Sequence, residues 1–416
     1  MMALVVSGLI LLIYLVFRNK KALVPSNIVF LSYLMYLIFP AFLYYTLDLI
    51  DWNYILPWGK IHDWSTLSDK ALIDFLYVFM LFFFITRFLE IVFDRNQDSC
   101  KNTFIVSDKS IILLSMLIFL GLLYFIHRTG GLSNWLNDYS YTYLTRKKGS
   151  GFLNFVLIHA ANFLAMILGF YCFINNRKNI TTVLLVVFVL ILAAWLQGFK
   201  SRILVFLIFF LVIPISKSRI SVIKGVMIFI LFIILFSLGM YVRSNGFYNS
   251  MPMLIEYLLS YFNTIFLHDR VLSDMDGNTL STLGFAINKW IELLGFSSSE
   301  TFFDISAWLT SIYFPDQWYN ESATQQWPIE TELYLNFNNK LFWFSPIFLY
   351  SLYICFLCRY RNEPLMTYVY INELLIFLSL FRGTMFQWIG VFNVFMYMVF
   401  IAIGWLMIKR GDNAKY

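Results

Sequence analysis

Six cations set the chemical question. Lys200 and Arg202, in "WLQGFKSRIL" (195–204), interrupt an almost unbroken apolar run from Thr181 to Ser216. A cation at bilayer depth costs a few kcal/mol on insertion scales. Arg243 and Arg382 stand where apolar stretches end. Arg270 follows in "FLHDR", and Arg146 leads the basic triplet of "YLTRKKGSG". Taken singly, each reads as a snorkelling anchor. Taken together, they suit one shared anionic ligand, and the donor fork of a guanidinium matches phosphate.

The elements that must position these groups are membrane helices. The chain of 416 residues is 60% hydrophobic and only 13% charged, far from a soluble composition. Its apolar stretches predict about eleven spans: 1–17, 28–50, 72–93, 110–127, 152–174, 180–199, 202–217, 225–242, 341–358, 365–384 and 386–408. The expected fold is an all-α polytopic bundle. Residues 1–242 supply spans 1–8, residues 243–340 a large loop, and residues 341–416 the last three spans and a tail. Met1–Phe17 lacks a basic n-region and a small-residue cleavage site, so it reads as a retained helix.

Connections alternate in character. Short basic ones ("RNKK", 95–109, "NNRKN", "KSRISVIK", "RYRNEP" and the tail) carry about half of all Lys and Arg. The positive-inside rule makes them cytoplasmic and puts loops 51–71, 128–151 and 243–340 outside, together with the turn at 198–202 and the six cations. Span 7 is short beyond Arg202, against the ~20 residues needed, which draws Arg202 below the outer surface. The 243–340 loop is rich in Trp, Phe and Tyr. Within it, 253–267 has an apolar stripe at helical spacing, read either as a helix packed on the bundle or as one lying in the membrane interface.

Other polar groups within spans have plainer readings. Arg87 and Glu90 are one turn apart, which suits a local pair. His159 and Glu373 lie deeper, as structural hydrogen-bonding groups or functional ones. Cys355 and Cys358 share CxxC spacing, but inside a span they read as small apolar residues. The four histidines have no zinc-ligand spacing, so no metal is expected. P-loop, Gly-rich dinucleotide and GxSxG motifs are absent. The net charge of +6 is spread over helix ends and is no nucleic-acid signal.

"GFKSRILVFL" (198–207) and "PIETELYLNFNNKLFWFSP" (328–346), with this layout, resemble the O-antigen polymerases. The first resembles their Ser-Arg turn opening a membrane helix. The second resembles their acidic-x-x-Tyr-x-x-Phe segment before a late span, with Asn338 and Lys340 where the family usually has glycines. The resemblance implies a glycosyltransferase C-like bundle in the bacterial inner membrane, acting on its periplasmic face without cofactor or metal. Undecaprenyl-diphosphate-linked glycans would be the substrates, with membrane lipids around them and a chain-length regulator as a further partner. Lys200, Arg202, Arg243, Arg270, Arg382 and Arg146 would hold the diphosphate. Glu332 ranks first as the general base, followed by His268 and Asp269. An O-antigen ligase shares this layout. A lipid-linked oligosaccharide flippase does not need so large a loop.

Overall fold

The computed structural model describes residues 2–55, 63–94, 104–143, 149–174, 179–217, 250–293, 302, 304–320, 324–361, 363–381, 385 and 391–410, with isolated positions between 227 and 239. These residues are predominantly helical. The helices are α1 (Met2–Phe17), α2 (Pro25–Leu49), α3 (Asp69–Asp94), α4 (Asp108–Arg128), α5 (Gly151–Phe173) and α6 (Ile180–Phe210). The large loop adds α7 (Met251–Phe262), α8 (Ile265–Asp274), α9 (Thr282–Leu293), α10 (Ile305–Tyr313) and α11 (Ile329–Asn336). Then follow α12 (Phe344–Arg359), α13 (Pro364–Leu380) and α14 (Val391–Met407). One small ribbon pairs Phe104–Val106 with Ile408–Arg410 in antiparallel register.

Among the described residues, six helices are long and apolar enough to cross a membrane: Pro25–Leu49, Asp69–Phe93, Asp108–Arg128, Gly151–Phe173, Ile180–Gly198 and Lys340–Arg359. Met2–Phe17, Leu365–Leu380 and Phe392–Met407 are shorter apolar helices. The chain is therefore an α-helical, multi-pass membrane protein. Most of the expected 225–242 span lies outside the described residues.

Local chemistry sets the helix ends. Ser107, Asn179 and Asp304 cap α4, α6 and α10 by accepting from backbone N–H groups, and Pro25 and Pro364 occupy first turns. A π turn at Leu34–Ile38 sits just before Pro40 in α2. Proline leaves the carbonyl four residues back unpaired, and a π turn absorbs the misfit.

α6 is the informative element. A straight helix of its 31 residues would run about 46 Å. Yet the Phe210 ring lies 5.3 Å from that of Phe173, which precedes the start of α6 by only a few residues. The chain doubles back at Gly198, whose φ of 99° and ψ of 82° suit glycine. The expected turn at 198–202 is thus present, and its second limb returns along α5. α5 is buried over most of its length, including Ala160, Ala161 and Ala165. A Cβ on Gly169 would stand 2.3 Å from the Phe210 carbonyl oxygen, so only glycine admits this approach.

The 253–267 stretch is two helices instead of one. α7 ends at Phe262, and α8 begins at Ile265 after Asn263 and Thr264. Its stripe packs on α2, where Phe262 meets Tyr36 at 5.6 Å and Phe39 at 6.2 Å. The bundle-packing reading is the one the structure supports.

Gly169→Ala should lower the melting temperature of purified protein by overpacking worth about 1–3 kcal/mol. Gly8→Ala, at a helical position with open space around it, should leave it unchanged or raise it by the helix-propensity gain of up to about 1 kcal/mol. Equal melting of the two variants would refute the close approach.

Candidate functional site

The two ends of the bundle differ. At one end Lys21, Glu90, Arg359 and Arg361 border a common cavity, and 104–106 pairs with 408–410, so the short basic connections gather there. At the opposite end the 51–68 connection is tied to the large loop. Glu256 accepts from Trp52 Nε1 (3.0 Å) and Ile55 N (2.8 Å), and Ser68 donates to Asp269.

The loop end holds a buried polar cluster. Asp74, in the second turn of α3, and His268, in α8, are both 0% exposed. His268 Nε2 lies 3.2 Å from Asp74 Oδ2, and its Nδ1 lies 3.2 Å from Thr331 Oγ1. Lys340 pairs with the other oxygen of Asp74. An ionised Asp74 only accepts, so the network assigns the ring proton to Nε2. Nδ1 is then left to accept from the Thr331 hydroxyl. Burial holds the imidazole below its ordinary range; the neighbouring Asp74 opposes this without cancelling it.

α11 brings the acids. Ile329 to Leu335 are all buried. Glu330 and Glu332 are two apart and point to different sides of the helix. Tyr33 of α2 donates to Glu330 (2.5 Å). Thr282, at the start of α9, donates to Glu332 Oε1 (2.6 Å), and the Met385 N–H donates to Oε2. Burial pushes Glu332 up to about 7 and Glu330 up to about 8, against the lowering effect of these hydrogen bonds. Lys70 stands 4.9 Å over the Tyr334 ring, beside the cluster.

His268 thus reaches α11 through Thr331, the residue before Glu332, while the Glu332 carboxylate itself meets Thr282 and Met385. Asp269 faces the other way and takes the Ser68 hydroxyl. Arg270 points outward, 4.8 Å over the Tyr313 ring and 3.7 Å from Asp274. Arg202 is half-buried on the returning limb of α6, within electrostatic reach of Tyr143 and His159. Among the described residues Arg202 and Arg270 share no contact. The Lys200 side chain, Arg146, Arg243 and Arg382 lie outside the described residues.

The deeper polar groups hold hydroxyl partners: His159 Nδ1 is 2.9 Å from the Tyr368 hydroxyl, and Tyr397 donates to Glu373 (2.7 Å). Asp74, Lys340, Glu330 and Thr331 are cluster members that sequence reasoning passed over. Asp74 carried a usable signal, being a carboxylate inside an apolar helix. Among the described residues no group of three or more His, Cys, Asp or Glu could hold a metal ion. Comparison with protein-family models, curated proteins and solved structures finds no match.

Two outcomes follow from this geometry. Lys340→Ala strips the ammonium from a fully buried carboxylate. It should cost about 2 kcal/mol in thermal or urea unfolding, below the ~3–5 of a wholly enclosed pair because the Lys340 head is partly solvated. A simultaneous Asp74→Asn should recover part of that loss. Glu330 and Glu332 have folded-state values above their ordinary 4.5. The stability they favour is present below pH 4.5 and is lost as pH rises through about 7 to 8. Melting temperature measured across that range should fall less steeply in Glu330→Gln/Glu332→Gln than in the wild type, and identical slopes would contradict the raised values.

Proposed function

We propose that this chain is a membrane glycosyltransferase of the O-antigen polymerase kind. In this reading a growing glycan on undecaprenyl diphosphate moves onto the non-reducing end of a lipid-linked repeat unit, on the periplasmic face of a bacterial inner membrane. The observation that supports it is the docking of α8 on α11 at the loop end of the bundle, where His268 bonds Thr331, the neighbour in sequence of the buried Glu332. This end carries the large aromatic loop, and the turn with Lys200 and Arg202 belongs to it. The eleven-span count, the glycosyltransferase C-like bundle and a chain-length regulator as partner belong to the same proposal.

The chemistry asks little of the protein. The acceptor hydroxyl attacks the anomeric carbon, the bond from that carbon to the diphosphate breaks, and the lipid diphosphate leaves with the electron pair. A base takes the acceptor proton. Cations stabilise the charge developing on the leaving diphosphate. Glu332 has its affinity for protons raised to about 7 by burial, close to the value a base needs at neutral pH. The neutral Nδ1 of His268, which accepts from Thr331, is the alternative proton acceptor. Lys200 and Arg202 serve the diphosphate, whose lipid tail lies in the bilayer beside them. Both Glu332 and His268 are buried, so a sugar reaches them only when the loop end opens locally.

The test is the lipopolysaccharide ladder of a deletion strain complemented with variants. Deletion should leave a single repeat unit on the core. Arg202→Ala and Glu332→Gln should fail to restore the ladder at near-normal protein abundance, and Arg202→Lys should restore it weakly, since it keeps charge without the fork. Loss of every repeat unit on deletion would instead indicate a ligase or flippase. A full ladder from well-inserted Glu332→Gln would remove that carboxylate from the chemistry.

A further inference from the structure

α7 and α8 meet at a joint whose polar side chains are buried without protein partners. Asn263 follows α7 with φ −89° and ψ 50°, off the helix, and Thr264 opens α8. Their side chains belong to residues only 3% and 4% exposed. Among the described residues nothing bonds the Asn263 amide oxygen, its amide nitrogen or the Thr264 hydroxyl. A threonine before a helix ordinarily accepts from a free backbone N–H of the first turn. Thr264 does not: Leu267 N (3.1 Å) and His268 N (3.3 Å) donate to its main-chain carbonyl instead. Trp64, whose ring meets Phe266 of the first turn edge-on at 5.6 Å, also buries its Nε1 without a described partner. Burying such groups unpaired costs free energy that contact with water returns.

The rest of α8 is held by polar contacts that water can replace. His268 reaches Asp74 and Thr331, and Asp269 takes the Ser68 hydroxyl. Releasing α8 strands no charge, because Asp74 keeps Lys340, which belongs to the approach to α12. Ile265 and Val271, both 0% exposed, are apolar groups that opening must uncover, and they favour the closed form.

In that closed form a protein hydroxyl stands where a substrate hydroxyl has to act. His268 Nδ1 lies 3.2 Å from Thr331 Oγ1. A sugar hydroxyl offers the same single donor, so one can replace the other on the ring nitrogen.

We propose that α8 is a lid hinged at Asn263 and Thr264, and that the Thr331 hydroxyl caps His268 until a sugar hydroxyl takes its place. The hinge stands on the packing alone; the sugar rests on the transferase reading above. When α8 swings out, His268 leaves Asp74 and Thr331. When it closes over a glycan, Asp74 fixes the ring as before, and Nδ1 accepts from the acceptor hydroxyl. Lids of this kind complete a catalytic arrangement only around substrate.

The experiment is hydrogen–deuterium exchange, read by mass spectrometry on the full-length protein in mild detergent. α11 is the comparator, being another short buried helix at the same end. Amides of residues 267–274 should exchange about tenfold faster than those of α11, because the lid opens without it. Thr264→Val and Asn263→Leu keep the shape and remove the unpaired groups, so each should slow exchange in α8 about threefold and leave α11 unchanged. Thr331→Val should speed exchange in α8 about threefold, and Thr331→Ser should restore the wild-type rate. Equal protection of α8 and α11 in the wild type overturns the lid. Unchanged or faster exchange in both Thr264→Val and Asn263→Leu overturns the hinge, since it means that those groups are bonded when α8 is closed. Exchange in α8 that ignores Thr331→Val overturns the cap. None of these readings needs transfer activity, so a failed lid and a failed ladder test are told apart.

Discussion

Asp74 places a carboxylate in the second turn of an apolar helix, where no water reaches it. A charge there persists only if it is paired and hydrogen-bonded. Its two partners, Lys340 and His268, come from distant parts of the large loop's sequence. Satisfying one buried charge therefore fastens α8 and the approach to α12 onto α3. The Thr331 hydroxyl on His268 then draws α11 into the same knot. A loop that would otherwise lie over the bundle becomes part of its core.

The same burial sets the chemistry of α11. Among the described residues, Glu330 and Glu332 meet hydroxyls and a backbone N–H, not cations. Neutral donors stabilise a carboxylate less than an arginine does, so desolvation dominates and both groups hold their protons to near neutrality. An acid poised near pH 7 can give or take a proton at little cost, which a salt-bridged carboxylate cannot. The acids of α11 thus differ from Asp74 and Glu90, each of which has a cation beside it. At the basic end Glu90 has Arg87 beside it as well as neutral donors.

Packing within the bundle obeys a steric limit as firm as the electrostatic one. The return of α6 along α5 depends on glycine twice: at Gly198, where the chain reverses with positive φ, and at Gly169, where the Phe210 carbonyl presses against the helix. This hairpin carries Arg202 back into the bundle near His159. The apolar faces of α2 and α3 close around aromatic contacts, such as Tyr33 on Phe79 at 5.2 Å and Phe82 on Phe381 at 5.3 Å.

Sequence alone determined the membrane character, the positions of most helices and the turn at Gly198. These depend on local hydropathy and on conformations that one residue type permits, both readable along the chain. It also singled out His268 and Glu332. It could not show that Asp74 and Lys340 join His268, because these residues lie far apart in the chain and meet only once the loop docks. It ranked Asp269 beside His268 as a base and gave Arg270 to the diphosphate, since the spacing of "HDR" does not say which way each side chain points. On α8 they diverge: His268 turns inward to Asp74, Asp269 toward Ser68, and Arg270 outward to Tyr313. Its 253–267 stripe matched a single helix, because apolar spacing continues across a break that Asn263 and Thr264 impose only in the packed loop. Burial, and with it the protonation of each acid, is a property of the assembled tertiary structure, because desolvation depends on every neighbour at once.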